Sequence, residues 1–378
     1  MIYFHIPFCK QACHYCDFHF STSIKYKDEM IQAMEKEINI RSNYLQNKKV
    51  ESIYFGGGTP SILNPSEIDK LIGYVSKKFE ISNNAEITLE ANPDDLSVQK
   101  VSDLRKTPVN RFSIGIQSFF EEDLRWMNRA HNASEADSAI KRVQDAGFEN
   151  ITADLIYGYP LLTDEKWTSN MGQLLAYDIP HISSYAMTVE QKTALAHLIK
   201  QGRSEPIDEI QSARQMNMLI DTLRSNDFEH YEISNFAKLE RYAKHNTNYW
   251  RGHHYLGIGP SAHSFNGSSR SWNISNNASY IRSIMSGETT METEILTFED
   301  QFNEYLMTSL RTIWGVNIKY LKERFGDLAV DHINNASREF IEKGHLEITS
   351  DNSIRLTAEG KLIADMLASE LFLLNPNS

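Results

Sequence analysis

Cysteine is the scarcest informative residue in this chain of 378 residues, with only Cys9, Cys13 and Cys16, all close to the start. An odd number at such short spacing does not make a disulfide framework, so a reducing cytoplasm is the expected location. No apolar run approaches the roughly 18 residues that a membrane helix needs. Residues 1–8 run directly into a strand pattern, and we therefore expect no secretory signal.

The chain also has fewer basic residues than acidic ones. The chain has 38 Lys and Arg against 50 Asp and Glu, which gives a net charge of −12. Because non-specific nucleic-acid binding relies on clustered basic residues, this excess of acid argues against it. Glycine and proline are few, at 18 and 10, and no long low-complexity stretch is present. The composition is that of a globular protein, and the length favours two or three domains.

Strand and helix patterns alternate over the first 235 residues, from "MIYFHI" to the helix around "SARQMNMLIDTLRS". Two of the helices show end signals: Asn64 and Glu67 suit a capping box, and a helix from Ser134 would stop at Gly147. Six such units predict an α/β fold, a partial (β/α)6 TIM-type barrel over residues 1–235. In such barrels the working groups lie at the carboxyl ends of the strands.

The pattern changes near residue 290. Helices, a two-stranded hairpin and a last helix predict a mainly helical, winged-helix-like domain over 291–378, joined to the barrel by a connecting segment, 236–290. A winged helix could bind nucleic acid, but acidic residues are interspersed among its basic ones, and covering the barrel or docking a partner is the favoured role. Those basic residues are Lys319, Lys322, Arg324, Arg338 and Lys343.

The cysteine spacing C-x3-C-x2-C points to a metal centre. Soft thiolates suit zinc and iron–sulfur clusters, and structural zinc sites commonly collect four ligands as separated pairs. Three thiolates at this spacing can instead hold three irons of a [4Fe–4S] cluster and leave the fourth iron open. The alternatives are ordinary structural cysteines or a zinc site completed by His5, His14 or His19.

Four quoted stretches, "YFHIPFC", "FGGGTPS", "RFSIGIQSF" and "DLIYGYP", carry a family resemblance that runs from residue 1 to beyond 270. Together with the cysteine loop they resemble radical S-adenosylmethionine (SAM) enzymes, in the branch of oxygen-independent coproporphyrinogen III dehydrogenase and HemW-type haem chaperones. The resemblance implies one [4Fe–4S] cluster whose open iron binds SAM. It also implies SAM contacts from Tyr3, Gly57, Gly58, Thr59, Glu90, Gln117, Arg129 and Asp154.

Two departures separate the members of that branch. The dehydrogenase pattern has a further cysteine two positions after the third, where this chain has Phe18, and it has a long arm before its first strand. Both differences favour the haem chaperone over oxidative decarboxylation of coproporphyrinogen III by a 5′-deoxyadenosyl radical. Whether SAM is cleaved stays open.

The stretch "HNTNYW" matches a motif associated with haem binding in that family, through His245, Asn246, Tyr249 and Trp250. Imidazole is a common haem ligand, and aromatic rings can pack on a porphyrin. The alternative is a polar helix start whose Tyr and Trp are buried in the barrel. Nearby histidines could also take the ligand role, namely His253, His254 and His263.

The resemblance further implies haem as cargo and apo haem proteins as recipients, including respiratory enzymes. Such recipients would bring a cytoplasmic protein to the inner face of a membrane. A homodimer is compatible with the family. Nucleic acid is not an expected partner.

Overall fold

A nine-stranded sheet forms the body of the protein, whose computed structural model describes residues 1–288 and 291–373. Its strands are β1 (Ile2–Ile6), β2 (Lys49–Gly57), β3 (Glu80–Ala91), β4 (Arg111–Gln117), β5 (Ile151–Tyr157), β6 (His181–Ala186), β7 (Phe228–Glu232), β8 (Asn235–Lys238) and β9 (Leu256–Ile258). Their order is β7-β8-β6-β5-β4-β3-β2-β1-β9, and β1 to β6 are parallel, each paired with the next. This is the predicted partial barrel.

Helices follow most of these strands, and most of the helices cover the outer face of the sheet. They are α1 (Lys27–Ile40), α2 (Pro65–Ser76), α3 (Val98–Leu104), α4 (Glu121–Trp126), α5 (Ala133–Asp145), α6 (Asp164–Ala176), α7 (Ala194–Lys200), α8 (Glu209–Arg224), α9 (Lys244–Trp250) and α10 (Asn277–Ser286). The predicted capping box of α2 is present, since Glu67 accepts the Asn64 N–H at 2.7 Å.

The start of α5 differs from the prediction. Its N-cap is Asn132 rather than Ser134, because the Asn132 side chain accepts the Glu135 N–H and the Glu135 carboxylate accepts the Asn132 N–H, both at 2.9 Å. This reciprocal pair satisfies two N–H groups that a serine two residues later would leave open. The predicted stop is confirmed, with Gly147 at a φ of +82°.

Side chains along the strands alternate between the two faces of the sheet, and this alternation decides where a site can form. Residues such as Phe55, Leu89 and Leu155 are fully buried in the core beneath the helices. The intervening residues face the barrel interior and are polar, as in the Tyr54–Glu90 and Ser113–Asp154 contacts between strands. Because side chains alternate between faces, the interior is a buried polar space.

The segment 236–290, predicted as a connector, contributes most of β8 and all of β9 to the sheet. The predicted limit falls inside β8, and β9 pairs in parallel with β1. The fully buried Glu37 of α1 joins this segment to the barrel: its carboxylate accepts from Asn273 at 2.7 Å and from the Tyr280 hydroxyl at 2.6 Å. A buried carboxylate needs such donors, which fixes the segment in place.

A second hydrophobic core lies beyond the small antiparallel sheet of β10 (His263–Phe265), β11 (Ser269–Asn273) and β12 (Met291–Ile295). Its elements are α11 (Phe298–Leu310), β13 (Val316–Asn317), α12 (Ile318–Phe325), α13 (Asp327–Ala336), α14 (Arg338–Glu342), β14 (Leu346–Ile348), β15 (Ser353–Leu356), α15 (Ala358–Lys361) and α16 (Ala364–Glu370). The helices match the predicted pattern, but the predicted two-stranded hairpin, β14 and β15, has a third strand, because β13 pairs with β15.

Acidic neighbours pair with basic residues in this C-terminal part. Lys322 lies 2.8 Å from Asp327, and Lys343 lies 2.6 Å from Glu339. Their charges are therefore balanced locally. Among residues 1–288 and 291–373, no helix has both the length and the apolar character needed to cross a membrane.

Candidate functional site

The cysteine loop follows β1 and is fastened to its surroundings by backbone hydrogen bonds. The Cys9 N–H donates to the Ser21 carbonyl at 3.0 Å, and the His14 N–H donates to the Met127 carbonyl at 3.0 Å. Cys9, Cys13 and Cys16 are free and half-buried. Burial raises the pKa of the Cys9 thiol to about 11 and the pKa of the Cys16 thiol to about 12.

The three histidines of the zinc alternative have other partners. The ring of His5 bonds the His19 carbonyl at 2.8 Å, and the ring of His14 bonds the Trp126 carbonyl at 2.7 Å. His19 itself contacts Asn277 at 2.8 Å. In the described part of the chain, no three His, Cys, Asp or Glu side chains converge as one ion would require. Three soft thiols within one short loop are the kind of donor that iron–sulfur clusters use, one for each iron.

The glycine segment after β2 packs directly on the cysteine loop. The Gly58 N–H donates to the Ile6 carbonyl at 2.9 Å, and the Thr59 N–H donates to the Phe8 carbonyl at 2.7 Å. A Cβ on Gly58 would lie 2.7 Å from the Phe8 oxygen and 3.0 Å from the Cys9 sulfur. The Thr59 hydroxyl donates to that sulfur at 3.4 Å. Side chains are excluded here because loop and segment touch through bare backbone.

Gln117, at the carboxyl end of β4, has two unusual features. Its φ of +66° lies in the left-handed region, which costs a non-glycine residue free energy. Its side-chain oxygen is buried without a hydrogen-bond partner among the described residues. An unpaired buried amide is unfavourable, so a polar ligand is expected beside it.

Arg129 lies between Gln117 and the cysteine loop. Its Nη1 lies 3.5 Å from the Cys13 sulfur, and its Nη2 donates to Asn92 at 2.6 Å and to the Gly115 carbonyl at 2.9 Å. Its Nε is buried and, within the described ranges, has no partner. The side chain therefore connects the cysteine loop with the ends of β3 and β4.

Two carboxyl groups inside the barrel titrate near neutral pH. Burial raises the pKa of Glu90 to about 7, although the Tyr54 hydroxyl donates to it at 2.7 Å. Burial also raises the pKa of Asp154 to about 6, with the Ser113 hydroxyl at 3.3 Å. Tyr3 lies beside them, with its ring stacked on Tyr54 at 6.2 Å. Perturbed carboxyls in a polar cavity are typical of functional sites.

The structure thus brings the cysteine loop, the glycine segment, Gln117 and Arg129 together at the carboxyl ends of the strands, with Glu90 and Asp154 in the adjoining interior. Tyr54 and Asn92 bond Glu90 and Arg129, respectively, and neither was predicted from the sequence. Asn92 could have been found, because it follows β3 directly in "EANP".

The "HNTNYW" residues lie on α9, at the other end of the strands. His245 is buried, with its Nδ1 2.9 Å from the Ser52 hydroxyl, and burial lowers its pKa to about 3. Tyr249 is exposed, and the Trp250 ring lies 4.9 Å from the Arg311 guanidinium. Asn246 is half-buried. The structure therefore does not gather these four side chains around one point, and it separates them from the cysteines.

Comparisons with known proteins found a family model for each of two parts of the chain. A family model described as the radical SAM superfamily matches residues 3–171, and one described as the HemN C-terminal domain matches 296–363. Heme chaperone HemW of Bacillus subtilis (strain 168) is 32% identical over 366 residues, covering 96% of both chains. Heme chaperone HemW of Escherichia coli (strain K12) is 33% identical over 273 residues, 69% of each.

The solved structure of coproporphyrinogen III oxidase (HemN) from Escherichia coli, a radical SAM enzyme, is similar with a TM-score of 0.84. It covers 98% of this chain and 89% of its own, and the 21% identity makes it evidence for the fold alone. Membership of the radical SAM superfamily implies a [4Fe–4S] cluster and SAM. The chain belongs to the HemW family of radical SAM proteins.

Proposed function

We propose that this protein is a haem chaperone on a radical SAM scaffold, which binds haem and transfers it to apo haem proteins. The near full-length similarity to proteins named heme chaperone supports the proposal. The observation that carries it is the cysteine loop itself, where Phe18, 66% exposed, stands in place of the fourth cysteine of the dehydrogenase. Decarboxylation of coproporphyrinogen III is therefore not part of the proposal.

Cys9, Cys13 and Cys16 would each bind one iron of the cluster. The bound pair of cluster and SAM can supply one-electron chemistry. The chain's own part is to hold SAM. Gly57 and Gly58 offer bare backbone, and the Glu90 carboxylate accepts hydrogen bonds from ribose hydroxyls. The unpaired amide oxygen of Gln117 accepts a further hydrogen bond from SAM. Tyr3, Thr59, Arg129 and Asp154 complete the proposed SAM residues. Their support is the unpaired Gln117 oxygen and Arg129 Nε beside the cysteine loop.

The haem contact is proposed on α9. Tyr249 offers its ring at the surface, Trp250 is half-buried beside Arg311, and Asn246 lies between them and His245 in sequence. His245 can reach the haem iron only by giving up its bond to Ser52, which makes the exposed His253, His254 and His263 its competitors. Haem spectra of the four His→Ala variants distinguish them, because loss of the axial ligand changes the coordination of the iron and shifts the Soret band.

The proposal also includes the proteins that receive the haem and the assembly of the chaperone. Respiratory haem enzymes, and through them the inner face of a membrane, are the proposed destination, and a homodimer is the proposed assembly. Pull-down of a haem-loaded recipient tests the first, and sedimentation with and without cluster tests the second.

A paired assay on one cluster-loaded sample tests the function. Haemin titration should give a Soret shift, followed by transfer to an apo haem protein, while coproporphyrinogen III with a reductant should give no protoporphyrinogen IX. Appreciable turnover without haem transfer would assign the dehydrogenase function instead.

A further inference from the structure

A cavity of about 460 Å³ lies far from the cysteine loop in the fold, where the edge strand β7 faces the hairpin of the C-terminal part. We call it the edge cavity. One wall is formed by the end of α8 and by β7, and the other by β15 and α15. Its apolar lining includes Ile220, Phe228, Ile313 and Leu356. Its size is that of a site for a small organic ligand.

Two basic side chains in the edge cavity form no ion pair with any described residue. Lys361 is largely buried and donates to the His230 carbonyl at 3.0 Å. Arg224 is at the last position of α8. Burial lowers the pKa of Lys361 to about 8; Arg224 and Arg355 contribute to this shift, and the carboxylates of Glu232 and Glu229 oppose it only in part.

The other charged groups of the cavity are already accounted for. Arg355 pairs with Glu347 at 2.7 Å, and Glu229 accepts the Tyr242 hydroxyl. Asp227 is exposed, in the turn before β7. His230 adds no positive charge, because burial lowers its pKa to about 3. A buried cation without an ion pair is costly, and an anion bound beside it would reduce that cost, since the nearby Glu232 is already paired with Arg311 at 3.2 Å.

We propose that the edge cavity binds a small organic anion, a carboxylate or phosphate ester on an apolar body, through Lys361 and Arg224. The two cations hold the anionic group, and the apolar lining receives the rest of the ligand. Because its walls come from both hydrophobic cores, the ligand would fix the C-terminal part against the sheet edge. This site is independent of the proposed haem chaperone function.

Calorimetric titration of the cluster-loaded protein tests the site, with octanoate and octyl phosphate as separate probes and octanol as the uncharged control. Lys361→Met and Arg224→Gln should each weaken binding of the preferred anion about tenfold, the loss expected for one charge-assisted hydrogen bond. Lys343→Met, in the same C-terminal part, and Arg214→Gln, on α8 itself, should bind as the wild type does. Retained cluster absorption shows that the variants are folded.

Pyridoxal 5′-phosphate gives a second measurement on the wild-type chain. Its aldehyde condenses with a neutral amine and releases water, and borohydride reduces the imine to a stable amine for peptide mapping. Lys361 should be labelled before Lys343, and Arg224→Gln should slow the labelling. The proposal is overturned if neither anion binds, if octanol binds as well, if all variants bind alike, or if Lys361 reacts no faster than Lys343.

Discussion

The two ends of the barrel interior are both polar and buried, but only the amino end is completed by a helix of the chain, α9. At the carboxyl ends of the strands, Gln117 and Arg129 keep buried polar atoms without partners in the described chain. At the amino ends, Glu86 accepts backbone N–H groups of Lys244 and His245 at 2.9 Å each. Unpaired polar atoms occur at both ends, because Arg111 Nε and the Thr247 hydroxyl at the amino end are also buried without hydrogen-bond partners among the described residues. The two ends therefore differ in the helix that covers one of them.

The difference has a simple origin in α9. This helix follows β8, and its first turn supplies donors to Glu86 while the His245 ring meets Ser52. The chain thus fills the amino end with its own residues. No comparable element completes the carboxyl end within the described residues, where Gln117 retains a φ of +66°.

Replacing a cysteine should have the largest effect on the incomplete end. Cys13→Ser removes one soft thiolate beside Arg129, and a hydroxyl is a poor substitute for it. We expect iron, acid-labile sulfide and cluster absorption to fall to background after anaerobic reconstitution. Phe18→Ser, in the same loop but exposed, is the matched control and should keep full cluster content. A fully loaded Cys13→Ser protein would contradict the cluster assignment.

Gly58→Ala, which adds a methyl group, should have the next largest effect. It would meet the Phe8 and Ile6 carbonyls at 2.7 and 2.9 Å, and backbone cannot move as a flexible side chain does. We expect the free energy of unfolding in urea to fall by about 1–3 kcal/mol, with SAM binding weakened as the loop shifts. Gly73→Ala, in α2 with open space around it, should instead stabilise by about 0.5–1 kcal/mol. Equal effects at the two sites would refute the packing argument.

At the complete end, His245→Ala should act on stability. It leaves the buried Ser52 hydroxyl without its partner, so we expect the free energy of unfolding to fall by about 2 kcal/mol. His254→Ala, at an exposed position, should change it by less than about 0.5 kcal/mol. If both substitutions were equally mild, α9 would not be what completes this end.

Sequence patterns were sufficient for the β/α units and for the glycine segment, because strand alternation and bare backbone have local causes. They did not reveal that the segment 236–288 adds β9 to the sheet, since the pairing of β9 with β1 joins residues about 250 positions apart. They also did not predict that His245 is buried while Tyr249 is exposed. Which face of a short helix is buried depends on Ser52 and Glu86, contributed by distant strands.

The smallest predicted effect concerns Tyr54, whose hydroxyl donates to Glu90 and thereby lowers the pKa of a carboxyl that burial has raised to about 7. Because ribose hydroxyls donate to the ionised form, SAM binding should weaken as pH falls through about 7. Tyr54→Phe should move this midpoint upward and weaken binding about threefold at neutral pH, the share of one hydrogen bond. Tyr74→Phe on α2 should leave the profile unchanged.

Without SAM, the titration of Glu90 should make the protein less stable as pH rises, whereas SAM binding strengthens as pH rises. Its pKa is raised from 4.5 to about 7 on folding, so the folded chain holds the proton more tightly. The stabilisation is fully present below pH 4.5 and is lost as pH rises to about 7. Glu90→Gln should flatten both slopes near pH 7, in equilibrium dialysis with SAM and in urea unfolding, and should leave the contribution of Asp154, whose pKa burial raises to about 6. If stability and SAM binding instead changed with pH in the same direction, Glu90 would not be the titrating group at the incomplete end.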